Sequence, residues 1–312
     1  MTKFKPLSSM TTPRYADVAT FFRLPIEKDV TKLDYCICGV PWDGGTTNRA
    51  GARHGPREIR NASSLIRSYH PVSLKSPYDK FKIADIGDCP VNPADLQDSL
   101  TKIEIFYKKI YESNTIPISI GGDHLVSLPI LRGMKNEKPF GIFQFDSHSD
   151  TWDTYFGGFK YTHGTPFRRA IEENLIDPNK YIIMGLRGSL YDPNDLKWAK
   201  DQGVTIITID DYYNLGFKKC INKIYEVLEE CNTYFTFDID GIDPTFAPGT
   251  GTPEVGGFSV REAQMIIRAL NKLKFIGGDV VEVSPPFDVN NLTSHVAATI
   301  AFEMLCTMTK TN

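Results

Sequence analysis

The chain has 312 residues, 41% hydrophobic and 23% charged, with a formal net charge of −3 at pH 7. That length accommodates one large α/β domain or two modest ones with a full core, and the composition excludes an intrinsically disordered chain. A small negative net charge supplies no basic field, so neither nucleic acid nor a membrane surface is expected as a partner.

The first 32 residues contain Pro6, Pro13 and Pro25 and read as an N-terminal arm packed on a single domain of residues 33–312. They lack the apolar core of a signal peptide, and nowhere does the chain run to about 18 consecutive apolar residues. Six scattered cysteines without a C-x-x-C pair suit small buried side chains in a reducing compartment better than a disulfide scaffold. A cytoplasmic protein is expected.

From Leu33 onward, apolar runs alternate with helix-length amphipathic stretches. LDYCICGVP (33–41) predicts the first strand, ended by proline and glycine. A helix is predicted from Arg57 to Tyr69, after Pro56. Strands follow at 82–88, 115–122, 140–146, 181–187, 204–210, 234–240 and 275–283. Amphipathic stretches at 96–113, 218–231 and 259–273 lie between some of them, and 296–308 predicts a closing helix. Such alternation implies crossover connections, hence a three-layer α/β/α architecture around a mostly parallel sheet.

The chemistry concentrates just past three of these strands, where open α/β sheets place their ligands. GGDH (121–124) follows TIPISI, DSHSD (146–150) follows FGIFQF, and Asp238-Ile239-Asp240 ends YFTF. Carboxylates and imidazoles ending apolar strands are costly to bury unpaired, and metal ions would supply the missing charge. Six candidate ligands (His124, Asp146, His148, Asp150, Asp238 and Asp240) exceed the needs of one ion and suit two sharing a bridging carboxylate. Oxygen and imidazole donors without thiolate favour Mn²⁺, with Ni²⁺ or Co²⁺ as alternatives. Two such ions about 3.5–4 Å apart can hold a hydroxide as nucleophile.

These segments carry a resemblance. GVPWDGGTTNRAGARHGPREIR (39–60), GGDH, DSHSD, HGTPFRRA (163–170), FDIDGIDPTFAPGTGTPEVGG (237–257) and EVSPPFD (282–288) resemble the ureohydrolase (arginase and agmatinase) family, on its agmatinase-like side. The resemblance implies an arginase-like fold, two Mn²⁺ ions on the same six ligands, and hydrolysis of a guanidino compound to urea and an amine. It also implies a homo-trimer or homo-hexamer. Carried over residue by residue, His163 would shuttle a proton to the departing amine, Glu282 would accept hydrogen bonds from the guanidinium, and Asp150 would join the proton handling. Ser147 stands where alanine is common in the family, a change expected to matter little.

Specificity is expected in the loop from Thr151 to Thr162. Trp152, Asp153 and Tyr155 could receive the cationic tail of agmatine, whereas Lys160, Arg168 or a rim arginine could receive a carboxylate. Agmatine is slightly favoured; hydrolysis of 4-guanidinobutanoate, 3-guanidinopropanoate or a small guanidine is the alternative. A non-catalytic guanidine or amine binder is the reading from another class, and a complete ligand set with His163 and Glu282 argues against it. The stretches at 44–56 and 241–257 predict rim loops, with Arg49 and Arg53 as structural groups.

Overall fold

The computed structural model describes residues 3–312. Eight strands, β1 Tyr35–Gly39, β2 Ile83–Asp88, β3 Ile116–Ile120, β4 Phe140–Phe145, β5 Ile176–Leu186, β6 Thr205–Thr208, β7 Asn232–Asp238 and β8 Lys274–Val281, form one sheet. Their order is β2-β1-β3-β8-β7-β4-β5-β6, and every neighbouring pair is parallel. Parallel neighbours need long crossovers. Each of these carries a helix: α1 Gly55–Ala62, α2 Leu96–Glu112, α3 Ser127–Gly133, α4 Pro166–Glu172, α5 Lys197–Gln202, α6 Ile209–Leu215 with α7 Phe217–Leu228, and α8 Val260–Ala269; α9 Leu292–Met308 follows the last strand.

Side chains alternate across each strand, and both faces of the sheet are covered. Ile37, Ile118, Phe143, Phe145, Phe235 and Phe237 share one buried cluster with residues of α1, α7, α8 and α9. Cys36, Cys38, Ile142, Ile183 and Tyr234 share the other with residues of α2, α3, α4 and α5. The expected three-layer α/β/α arrangement is therefore present. α9 is buried along almost its whole length, from Thr293 to Met308, which explains why its sequence is apolar on every side.

The elements depart from the sequence reading in four places. The helix expected at 57–69 ends at Ala62 and gives way to a 3-10 turn, Ser63–Leu65. The hydroxyl of Ser63 donates to the carbonyl of Arg60 at 2.7 Å and accepts the N–H of Phe22 at 2.8 Å, so a segment distant in sequence claims that corner. The strand expected at 204–210 stops at Thr208. Its hydroxyl accepts the Asp211 N–H while the Asp211 carboxylate accepts that of Thr208, a reciprocal cap that starts α6. β5 begins five residues before the expected 181, with a register irregularity opposite Phe140/Ile142. Finally α3, α4, α5 and α6 are too short for their periodicity to be read from sequence. Within the first 32 residues, Phe21, Phe22 and Leu24 are buried in the core cluster, and Ile26 bridges to Asp85.

The order β3-β8-β7-β4 gathers the chemistry-bearing residues. These four central strands are consecutive neighbours, in register as Ile120↔Val280, Phe237↔Val280 and Phe145↔Phe237. Their carboxyl ends therefore deliver His124, Glu282, the Asp238–Asp240 pair and the Asp146–Asp150 segment to one place.

Candidate metal centre

His124 follows β3 across Gly121-Gly122. A Cβ at Gly122 would overlap the carbonyl oxygen of Trp42, so only glycine lets the two backbones pass. The imidazole of His124 is fully buried, and its Nδ1 lies 2.8 Å from Asp150 Oδ2 and 3.1 Å from both Asp146 Oδ2 and Asp238 Oδ2. Beside it, His148 Nδ1 lies 3.0 Å from Asp240 Oδ2 and 3.7 Å from Asp146 Oδ1. The structure thus forms two ligand groups, His124–Asp146–Asp150–Asp238 and Asp146–His148–Asp240. Asp146 belongs to both and turns a different oxygen to each. All six residues named from sequence converge here.

The donor set passes a direct test of fit. His124 Nδ1 makes no hydrogen bond, although three carboxylate oxygens surround it. A buried polar nitrogen left in that state is rare and costly, and a cation among these groups would satisfy nitrogen and carboxylates together. The titration of the cluster points the same way. Burial, with repulsion from Asp150 and Asp240, pushes Asp146 up to about 7. Asp238 is pushed well above the usual carboxylate range by burial and by repulsion from Asp240 and Asp146. Burial alone would lower His124, but the pull of Asp146, Asp150 and Asp238 outweighs it and raises the ring. Four carboxylates against two imidazoles leave the cluster short of positive charge, which divalent ions would bring.

The ligands are held from behind. Asp146 accepts the Gln144 amide at 2.6 Å and the N–H of His148 at 2.6 Å. Ser147 donates its hydroxyl to Asp240 Oδ1 at 2.6 Å, so the position expected to matter little fixes a ligand's rotamer. His124 Nε2 lies 2.7 Å from Thr236 Oγ1, which donates to the buried Asp279 at 2.6 Å. Asp150 and Glu282 both have positive φ, 50° and 64°, a strain of about 1–3 kcal/mol each for such residues. The carbonyl of Asp150 accepts the Phe167 N–H, and the N–H of Glu282 donates to the Gly122 carbonyl.

His163 and Glu282 meet beside the cluster. Glu282 Oε1 lies 2.8 Å from His163 Nδ1 and accepts the His124 N–H at 2.8 Å, while Oε2 accepts no hydrogen bond from a described residue. Burial would lower His163, but Glu282, with Asp123 and Asp150 behind it, raises the ring to about 9. Thr47 approaches the other ring nitrogen. A cavity of about 520 Å³ opens over these groups, lined among others by His148, Asp150, His163, Glu282, Trp152 and Tyr155.

The specificity loop is only partly as expected. Trp152 and Tyr155 line the cavity and pack edge to face, with ring centroids 6.3 Å apart. Asp153 does not line it. Its carboxylate is drawn outward to Arg169 at 2.8 Å, so it is withdrawn as a tail-binding residue. Arg168 lies over the Trp198 ring and pairs with Glu172; neither it nor Lys160 lines the cavity. The rim loops are tied together by Arg49, which donates to the carbonyls of Thr250 and Gly251, while Arg53 pairs with Asp43. Arg187 pins the second rim loop by donating to the carbonyls of Asp240, Gly241, Ile242 and Glu254.

Thr47, Gln144, Thr236, Asp279 and Arg187 were missed from sequence. Three of them had a legible signal: Gln144, Thr236 and Asp279 are polar residues inside otherwise apolar strand runs, where a buried polar group needs a partner. Thr47 and Arg187 carried none.

The Arginase family profile matches residues 33–306. The chain is 52% identical over 302 residues to a guanidinopropionase of Pseudomonas aeruginosa, covering 97% of this chain and 95% of that protein. It is 40% identical over 308 residues to a guanidinobutyrase of the same organism, covering 97% and 96%. Among solved structures, the proclavaminate amidino hydrolase from Streptomyces clavuligerus matches with a TM-score of 0.92 at 37% identity, covering 96% of this chain and all of that one.

Proposed function

The chain belongs to the arginase family, a hydrolase of guanidino C–N bonds, and from that premise we propose that its substrate is a short ω-guanidino acid, 3-guanidinopropanoate before 4-guanidinobutanoate. The observation that carries this choice over agmatine is the withdrawal of Asp153 to Arg169. It leaves the loop from Thr151 to Thr162 without an acid facing the cavity to hold a cationic tail. Asn48 and Tyr155 line the cavity with side chains that make no hydrogen bond to a described residue, so both can donate to a carboxylate. The likeness to a guanidinopropionase and a guanidinobutyrase supports the same reading.

The roles follow from the geometry. His124, Asp146, His148, Asp150, Asp238 and Asp240 would hold two divalent ions, Mn²⁺ in this proposal. When bound, these supply an activated water and polarise the carbon it attacks. Glu282 keeps one carboxylate oxygen on His163 and leaves the other for the guanidinium, whose planar N–H fork matches it. His163, protonated near neutral pH, gives its proton to the alkyl nitrogen as the C–N bond breaks. Asp150, against His124 at the cavity floor, joins ligation to accepting a proton from the water. Overall, guanidinium plus water becomes urea plus a protonated amine.

The test is urea release from protein loaded with Mn²⁺ and, separately, Ni²⁺, offered 3-guanidinopropanoate, 4-guanidinobutanoate, agmatine, arginine and guanidine. A kcat/KM for a guanidino acid at least about tenfold above agmatine is expected. Preference for agmatine would overturn the substrate reading.

The proposal extends to a homo-trimer or homo-hexamer and to a cytoplasmic location. The six free cysteines, five of them buried, suit a reducing compartment, and among the described residues no helix is long and apolar enough to cross a membrane. It also includes an arm of residues 1–32, the first two of which lie outside the described residues, on a catalytic domain of 33–312; the family match beginning at residue 33 supports that boundary.

A further inference from the structure

Both ring nitrogens of His163 are engaged, by partners that differ in kind. Nδ1 faces Glu282 Oε1 at 2.8 Å, which when ionised can only accept. Nε2 faces Thr47 twice, with the backbone N–H at 3.2 Å and the hydroxyl oxygen at 2.7 Å. A backbone N–H can only donate, so it suits Nε2 when that nitrogen carries a lone pair, as in the neutral ring. A hydroxyl accepts as well as donates, so it also suits the Nε2–H of the imidazolium. One residue thus offers the same nitrogen a partner in either charge state without movement of the ring.

The seat is built rather than incidental. Asp123, fully buried, accepts the N–H of Gly45 at 2.6 Å and the hydroxyl of Thr46 at 3.4 Å. The N–H of His163 donates to the carbonyl of Gly45 at 2.9 Å. The loop that carries Thr47 is therefore clamped to the residue it serves, and Thr47 itself lines the cavity. The titratable groups around the ring are Glu282, Asp123 and Asp150; Thr47 is the partner that does not ionise.

Resting on the hydrolase reading above, we propose that Thr47 is a positioning residue for proton transfer, holding His163 in one orientation while the ring passes from imidazolium to imidazole. In that step the imidazolium N–H bond breaks and its proton forms an N–H bond on the departing nitrogen. That nitrogen has taken the electron pair of the broken C–N bond, and the ring is left neutral. Without the hydroxyl, the imidazolium Nε2–H loses its acceptor while the backbone N–H still favours the neutral ring.

Thr47→Val removes the hydroxyl and keeps the β-branched shape; Thr47→Ser keeps the hydroxyl. In the Mn²⁺-loaded enzyme, T47V should lower kcat by roughly tenfold or more with KM within about twofold. It should also move the alkaline limb of the kcat profile down by about one pH unit, because the charged ring has lost an acceptor, and T47S should restore both. A change in KM alone, an unmoved limb or a failed serine rescue would overturn the inference. The same shift is readable without turnover, by NMR titration of the His163 ring in histidine-labelled protein loaded with diamagnetic Zn²⁺. If wild type released no urea from any guanidine while T47V lowered that midpoint and T47S restored it, the function would be wrong and the role of Thr47 in holding the ring would stand. If T47V left the midpoint in place, the role of Thr47 would fall whatever the activity.

Discussion

Replacing Thr236 by valine takes one hydroxyl from beneath the metal cluster and leaves the side chain nearly the same shape. That hydroxyl is fully buried and has two partners: His124 Nε2 at 2.7 Å and Asp279 Oδ1 at 2.6 Å. Asp279 also accepts the hydroxyls of Ser127 and Tyr234 on its second oxygen, at 2.7 and 2.8 Å. The single Thr236 proton is thus committed to Asp279, and its lone pairs to His124. Nε2 must then carry a proton, which leaves Nδ1 as the nitrogen whose lone pair a metal ion would take. Valine would orphan one donor and one acceptor in the core, at about 1–3 kcal/mol each, so a loss of about 2–6 kcal/mol is expected. In a chain of this size the melting midpoint should fall by at least about 3 °C. Metal affinity should fall about 10–100-fold, as when a partner behind a ligand is lost. The assays are thermal unfolding of the metal-free protein and competition for Mn²⁺ against a fluorescent chelator. If T236V melted within a degree of wild type and held Mn²⁺ equally well, the proton assignment through Thr236 would be refuted.

Other expectations can be checked in the same preparations. His163 titrates near 9 in the fold against an ordinary 6.5, so its interaction with Glu282 adds stability that is complete below about pH 6.5 and is lost as pH rises through 9. In metal-free protein this amounts to at most about 3 kcal/mol, and Glu282→Gln should flatten that slope in denaturation measured across pH; an unchanged slope would contradict it. Arg187→Leu, which leaves the carbonyls of Asp240, Gly241, Ile242 and Glu254 without this donor, should cost about 3 kcal/mol or more by thermal unfolding. Asp153→Ala should change kcat and KM by less than about twofold, since its ion pair with Arg169 leaves the Asp153 side chain largely exposed; a tenfold rise in KM would return Asp153 to the substrate site. Removing metal with a chelator should lower the melting midpoint, and Mn²⁺ at about 100 times its Kd should restore about 2.7 kcal/mol. No shift on re-addition would argue against a metal centre.

Much of this molecule is legible one segment at a time. FGIFQF and YFTF are apolar runs of strand length, and their burial on both faces is what a parallel sheet requires. The six ligands are legible because carboxylates and imidazoles at the ends of such runs have few bland explanations. α6 was within reach too, since Thr208 and Asp211 have cap spacing, but the apolar run across Ile206 to Ile209 masked it. α1 could not be read to its end, because what stops it is Phe22, some forty residues upstream.

The residue types, their periodicity and their motifs determine the α/β class, the sheet's parallel character and the identity of the chemistry-bearing side chains, because these depend on local geometry and on the cost of burying charge. Which side chains meet is decided only by the tertiary structure. The order β3-β8-β7-β4 brings chain positions 124, 282, 238 and 146 side by side, and nothing in a linear pattern encodes strand order. It likewise turns Asp153 outward to Arg169, seats Thr47 on His163 and sets Asp279 behind His124. Each of these contacts joins parts of the chain that have no pattern in common, and each depends on which elements the fold packs side by side.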